Sequence, residues 1–213
     1  MLPDVWRMAD RRARVRDVDP AVAQGVVRAV AEGIAHHVAV DAWFHGAPVF
    51  ARGESAAREA LRRAVGAAKI GLFAHVTWEL CLDGALLRRQ GVERVLDAVR
   101  GSVAAVRPDA HHRAAALYAW PNDAGGRVDR GGFDARVDEI LDAIARGPWI
   151  AGYATGFGVV ERLEGVRGRL GFSRFEAADR GAIVEGLDAL AGRADEAVDE
   201  VLSSNRVGRW LAG

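Results

Sequence analysis

The chain has 213 residues and a mass of 22.8 kDa; half of its residues are apolar and 27% are charged, which provides for a buried core and excludes a globally disordered polypeptide. Lys plus Arg and Asp plus Glu both number 29, so the formal net charge is +0 and no basic excess points to a nucleic-acid partner. A single cysteine, Cys81, excludes an internal disulfide and a four-thiolate zinc site and makes a reducing cytoplasm the expected compartment. Lys69 is the only lysine, and with heavy use of Ala, Arg, Val, Gly and Asp this points to GC-rich coding and a bacterial source.

Apolar residues recur at three- and four-residue spacing along nearly the whole chain, and no run alternates β-branched with polar residues, so the expected fold class is all-α. Helices are predicted over about 4–12, 20–45, 54–66, 67–88, 91–106, 109–119, 133–146, 148–169 and 174–204. The opening Met-Leu-Pro-Asp-Val-Trp-Arg lacks the pattern of a secretory leader. The most apolar stretch, 70–82, contains His75 and Glu79 and is shorter than the ~20 residues of a membrane span, so it reads as a buried core helix. Residues 121–132 combine proline, paired glycines and charge and predict an exposed loop where a subdomain boundary could fall. The spacing of Ser173 and Glu176 predicts a capping box at the start of the last helix. One helical domain of about eight or nine helices is therefore expected over 1–213.

Chemistry concentrates on two of these helices. Val30, Ile34, His37, Val38, Asp41 and His45 fall on one face of the second, and Leu72, His75, Val76, Glu79 and Leu82 on one face of the central helix. His37 and Asp41, like His75 and Glu79, therefore point toward the apolar side. A buried carboxylate without a partner costs several kcal/mol or is neutralised, so these pairs either satisfy each other or hold a metal. Residues four apart on a helix project side by side, and imidazole with carboxylate is a usual ligand set for zinc, manganese or iron.

At these residues the chain resembles the acyl carrier protein phosphodiesterase family, all-helical hydrolases similar to the HD-domain metal-dependent phosphohydrolases. The resemblance rests on Met1-Leu2-Pro3-Asp4, on Gly33-Ile34-Ala35-His36-His37-Val38-Ala39-Val40-Asp41, on His75-Val76-Thr77-Trp78-Glu79 and on Trp149-Ile150-Ala151-Gly152-Tyr153. Asp4, His37, Asp41 and Tyr153 match the family pattern directly, Glu79 replaces an aspartate, and His45 and His75 stand at aspartate positions. The family's opening Asn-Phe-Leu-Ala-His has no counterpart here; Val38 replaces an arginine and Leu80 a histidine.

The resemblance implies an HD-like helical fold and hydrolysis of the phosphodiester that links 4′-phosphopantetheine to a carrier serine. It implies a divalent metal (manganese, zinc or iron) on His37, Asp41, His75 and Glu79, with Asp4, Asp41 and Tyr153 serving the reaction. The partner would be acyl carrier protein or a small phosphoester, with neither nucleic acid nor membrane involved. The alternative expectation is a non-catalytic helical binding or scaffold protein that keeps the fold.

Other residues carry weaker expectations. His111 and His112, after a candidate N-cap at Asp109, could add a ligand or form a solvated pair. Trp43, Trp78 and Trp149 are expected to pack the core. Arg162, Arg167 and Arg169 could form a cationic rim for phosphate, or pair with Glu161 and Glu164 on a solvated face. Cys81 reads as a small buried hydrophobe. No nucleotide-binding glycine loop and no Gly-x-Ser-x-Gly elbow is present.

Overall fold

The computed structural model describes residues 2–16, 23–62, 70–105, 117–120 and 129–203. Its elements in chain order are α1 (Leu2–Ala9), β1 (Arg14–Val15), α2 (Gly25–His45), α3 (Pro48–Leu61), α4 (Ile70–Gln90), α5 (Val92–Ala105), β2 (Tyr118–Ala119), α6 (Arg130–Arg146), α7 (Pro148–Ala151), a 3-10 turn (Gly152–Ala154), α8 (Gly156–Arg169) and α9 (Ala177–Ser203). The chain is all-α, as its periodicity predicts. The two strands form only a two-residue antiparallel ladder, Arg14 opposite Ala119 and Val15 opposite Tyr118. The ladder falls at the end of the helix predicted over 109–119, most of which lies outside the described residues.

The chain divides into two compact units, Met1–Trp43 with Asp97–Gly147, and Phe44–Leu96 with Pro148–Gly213. The unit boundaries lie near residues 43, 96 and 147; of the loop predicted over 121–132, residues 121–128 lie outside the described residues and residues 130–132 open α6.

The first unit buries Leu2, Val5 and Trp6 of α1 with Ala31 and Ile34 of α2, Tyr118 and Trp120, and Phe133, Val137 and Leu141 of α6. Its aromatic rings interlock: Tyr118 lies 5.1 Å from Trp6 and 5.0 Å from Phe133, and Trp120 lies 4.9 Å from Phe133. Helix α6 starts where the Asp129 side chain accepts the Gly132 N–H at 2.9 Å, and stops at Gly147, whose φ of 50° is left-handed.

The second unit packs α3, the 3-10 turn, α8 and α9 around α4, whose Phe73, Trp78, Leu82, Ala85 and Leu87 are buried. Among the described residues only α4 has the length and mean hydropathy of a membrane span, and it is the core helix of this unit. Two glycines let neighbours reach it. A Cβ on Gly53 of α3 would overlap the Trp78 ring, and one on Gly84 would overlap the carbonyl of Tyr153. The 3-10 turn is therefore seated directly on α4. Arg88 secures it by donating to the carbonyls of Ala154 at 3.1 Å and Ala191 at 3.3 Å while pairing with Asp195 at 2.9 Å.

The capping box predicted at Ser173 and Glu176 does not form, because 172–176 is not helical and α9 begins at Ala177. Tertiary packing overrides the local preference here. Phe175 is buried, Phe172 and Phe175 flank the Arg167 guanidinium, and Arg167 Nε donates to the Ser173 carbonyl at 2.8 Å. The Glu176 carbonyl instead accepts the N–H groups of Asp179 and Arg180.

Candidate metal centre

In the second unit, side chains from three helices meet. His45 is the last residue of α2, Glu54 lies in the middle of α3, and His75 and Glu79 are one turn apart on α4. Helix α2 ends there because Gly46 and Ala47 break it and Pro48, with its fixed φ and no N–H, opens α3. His45 Nε2 lies 3.1 Å and His75 Nε2 3.2 Å from the same Glu79 oxygen. The two imidazoles are 4.9 Å apart, and Phe50 packs edge-on against both at 4.6 and 5.2 Å. On the far side of its ring, His75 Nδ1 faces Glu54 at 3.7 Å, and the other oxygen of Glu54 accepts from Arg58 at 2.9 Å.

One ligand atom from each of His45, His75 and Glu79 can be chosen so that all lie within 4.8 Å of one another, the only such group among the described residues. All three side chains are half-buried. The donor set fits a metal: two imidazole nitrogens and one carboxylate leave coordination positions open, as catalytic zinc, manganese and iron sites do. A carboxylate behind a ligating imidazole is also the usual second contact, and Glu54 is placed to supply it to His75.

The sequence-derived residues distribute between the units. His75 and Glu79 are brought together as the i, i+4 spacing predicts. His45, on the same stripe of α2 as His37 and Asp41, completes the group. His37 and Asp41 belong to the first unit. There His37 Nε2 pairs with Asp4 at 3.3 Å, with Asp4 mostly exposed. Asp41 is exposed rather than turned to the apolar side, as is Val38. His111 and His112 lie outside the described residues.

Tyr153 is buried in the 3-10 turn, its ring 5.7 Å from that of Trp149. Burial raises its hydroxyl above the ordinary tyrosine range, Asp83 raises it further, and neighbouring Arg162 and Arg169 oppose the rise. Trp78 is fully buried, as expected of a core residue, while Trp149 is only partly so. Cys81 is a buried thiol pushed up to about 12 by desolvation, which removes it as a nucleophile near neutral pH.

Two residues escaped the sequence reading. Glu54 carries no local signal, since its histidine partner is 21 positions away in the sequence. Asp83 does carry one, because His75, Glu79 and Asp83 repeat at four-residue spacing on α4. Its side chain reaches solvent, but surrounding protein limits its hydration, and this with the charge of Glu79 raises its carboxyl to about 6. Comparison of the chain with protein-family models, with curated proteins and with solved structures found no match.

Proposed function

We propose that this protein is a metal-dependent phosphodiester hydrolase resembling acyl carrier protein phosphodiesterase, releasing 4′-phosphopantetheine from a carrier serine. The observation that carries the reading is the convergence of His45, His75 and Glu79 from two helices onto one point of the second unit. The ligand set of this proposal is therefore His45, His75 and Glu79 rather than one built on His37 and Asp41. When bound there, a manganese, zinc or iron ion would supply Lewis acidity and lower the pKa of a bound water.

The protein's own groups then have definite tasks. Glu54 lies 3.7 Å from Nδ1 of His75 and would orient the ring by taking that N–H when Nε2 holds the ion. Phe50 packs against both imidazoles and limits their rotation. Asp83, one turn beyond Glu79 on α4 and with a carboxyl raised by desolvation and by Glu79, is the group that would take the proton of a nucleophilic water. Tyr153, kept protonated by burial, offers a hydrogen bond to a substrate oxygen.

The same contacts favour a second reading. Each histidine can donate Nε2–H to Glu79, which makes a hydrogen-bonded bridge that needs no ion and suits a helical scaffold protein. Elemental mass spectrometry of the protein purified without chelator, and after titration with manganese, zinc and iron, decides between them. A stoichiometric ion that is lost in His75→Ala, together with hydrolysis of holo-acyl carrier protein or a model phosphodiester, supports the hydrolase. A parent protein that takes up none of the three metals overturns it in favour of the scaffold.

A further inference from the structure

Four arginines lie on α8 or against it, and their surroundings divide them into two kinds. Arg180 of α9 engages both glutamates of α8, forming an ion pair with Glu161 and approaching Glu164 at 3.8 Å. Arg167 is consumed structurally: its guanidinium lies 4.4 Å from the Phe175 ring centre and 5.6 Å from that of Phe73, and its Nε is bonded to the Ser173 carbonyl. Among the described residues neither Arg162 nor Arg169 forms an ion pair; Arg162 instead engages the Trp149 ring and donates to the Tyr153 hydroxyl, which leaves its charge uncompensated. The local glutamates that could have neutralised them are committed to Arg180.

Arg162 and Arg169 are seven residues apart, two helical turns, so they share one face of α8. Arg162 is held in place, its guanidinium 4.6 Å above the Trp149 ring. Trp149 in turn packs on Tyr153, whose backbone is seated against Gly84 beside Asp83. The Tyr153 hydroxyl feels both guanidinium groups and one carboxylate, Asp83. The two arginines are close enough to repel, and limited hydration of Arg169 together with this repulsion weakens its hold on its proton, although its side chain reaches solvent. Neighbouring guanidinium groups without a carboxylate partner, beside a protonated phenol, make an electrostatic and hydrogen-bonding match for an oxyanion. Two positive charges outweigh the single charge of Asp83.

We propose that Arg162, Arg169 and Tyr153 form an oxyanion subsite of the second unit that takes the non-bridging oxygens of a phosphoester. Naming the phosphoester as the bound substrate rests on the hydrolase reading; the binding of phosphate itself does not. Asp83 links the two sites in the fold, because it follows Glu79 by one turn of α4 and faces Tyr153 electrostatically.

The test is titration of metal-free protein with inorganic phosphate at constant ionic strength, read by calorimetry and phosphorus NMR, with acetate as the comparison anion. The parent is expected to bind one phosphate saturably and more tightly than acetate. Arg169→Gln, on the exposed last turn of α8, is expected to weaken binding by about tenfold, the loss of one charged hydrogen-bond donor. Arg162→Gln combined with Arg169→Gln is expected to abolish saturation. Arg174→Gln, an exposed arginine outside the cluster, is expected to bind as the parent does, with circular dichroism confirming the fold of each variant. Parent-like affinity in both Arg169→Gln and the double variant overturns the proposal. So does a parent that binds phosphate only after manganese is added, because the anion then sits on the metal. Phosphate binding that depends on the arginines in a protein taking up no metal supports the subsite while overturning the hydrolase.

Discussion

Each unit contains a histidine–carboxylate arrangement and a buried tyrosine, and the two units complete them differently. In the first, His37 meets a single, mostly exposed partner, Asp4, and the Tyr118 hydroxyl donates to Asp134 at 2.9 Å. Asp10 is similarly closed off, accepting from the Arg12 backbone N–H and guanidinium and from the Trp120 indole at 3.0 Å. In the second unit, two histidines share one Glu79 oxygen, and Tyr153 lies among two arginines without a counter-ion. These three groups of the first unit, His37, Tyr118 and Asp10, are terminated by neighbouring side chains. His45, His75 and Glu79, and Tyr153 with Arg162 and Arg169, instead converge on points with donor or acceptor capacity to spare, the condition for binding something else.

The largest expected effect breaks this contrast directly. His45→Ala and Glu79→Gln should each abolish stoichiometric metal uptake, whereas His37→Ala in the first unit should leave it unchanged. Metal analysis of the three variants side by side checks this. Loss of metal in His37→Ala with retention in His45→Ala would return the centre to the ligands that the family resemblance implies.

Next in size is a packing effect confined to the second unit. Gly53→Val would drive a branched side chain into the Trp78 ring, which is itself fully buried. Overpacking of this kind costs about 1–3 kcal/mol, or more where neither partner can move. Gly33→Val on α2, where a Cβ meets open space, changes only helix propensity, and modestly in the favourable direction. Urea denaturation should therefore show a large midpoint loss for Gly53→Val and a small change for Gly33→Val.

This separation of local from non-local determinants also governs what the sequence makes legible. The 3.6-residue periodicity is local, and it places α4, α5 and the end of α2 to within a few residues of their observed bounds. His75 and Glu79 are legible for the same reason, since both lie on one turn of one helix. The Ser173–Glu176 box fails because Phe172, Phe175 and Arg167 make contacts beyond the reach of local spacing. The two-residue ladder is too short to leave an alternating pattern. Likewise, the i, i+3 proximity of Glu161 and Glu164 suggests partners within α8, but Arg180 comes from the next helix and frees Arg162. Choosing His45 over His37 as the third ligand needs the tertiary path of α4, because both occupy the same stripe of α2.

The smallest expected effects are the most diagnostic of how the units differ, because they have opposite signs. In the first unit, the Arg12 guanidinium beside Asp10 holds its carboxyl well below the ordinary value of 3.8, against the opposing effect of burial. Asp10 therefore contributes stability that is fully present above its unfolded pKa and is lost as pH falls through the lower folded value. Asp10→Asn should lower the urea midpoint at pH 7, and its deficit should shrink as the pH drops below 3.8. In the second unit, Asp83 is raised from 3.8 to about 6, by desolvation first and by Glu79 second. Its ionisation costs stability, with no cost below pH 3.8 and the full cost above about 6. Asp83→Asn should therefore raise the midpoint of metal-free protein at pH 7.5 and match the parent below pH 4, a window set by those two values. Because Asp83 reaches solvent, screening limits the size of this gain. Two unfolding series over pH 3 to 8, one per variant, read both signs. If Asp83→Asn is instead less stable than the parent at pH 7.5, the charge at this position is already paired in the fold, and it loses its role as the proton acceptor beside Glu79.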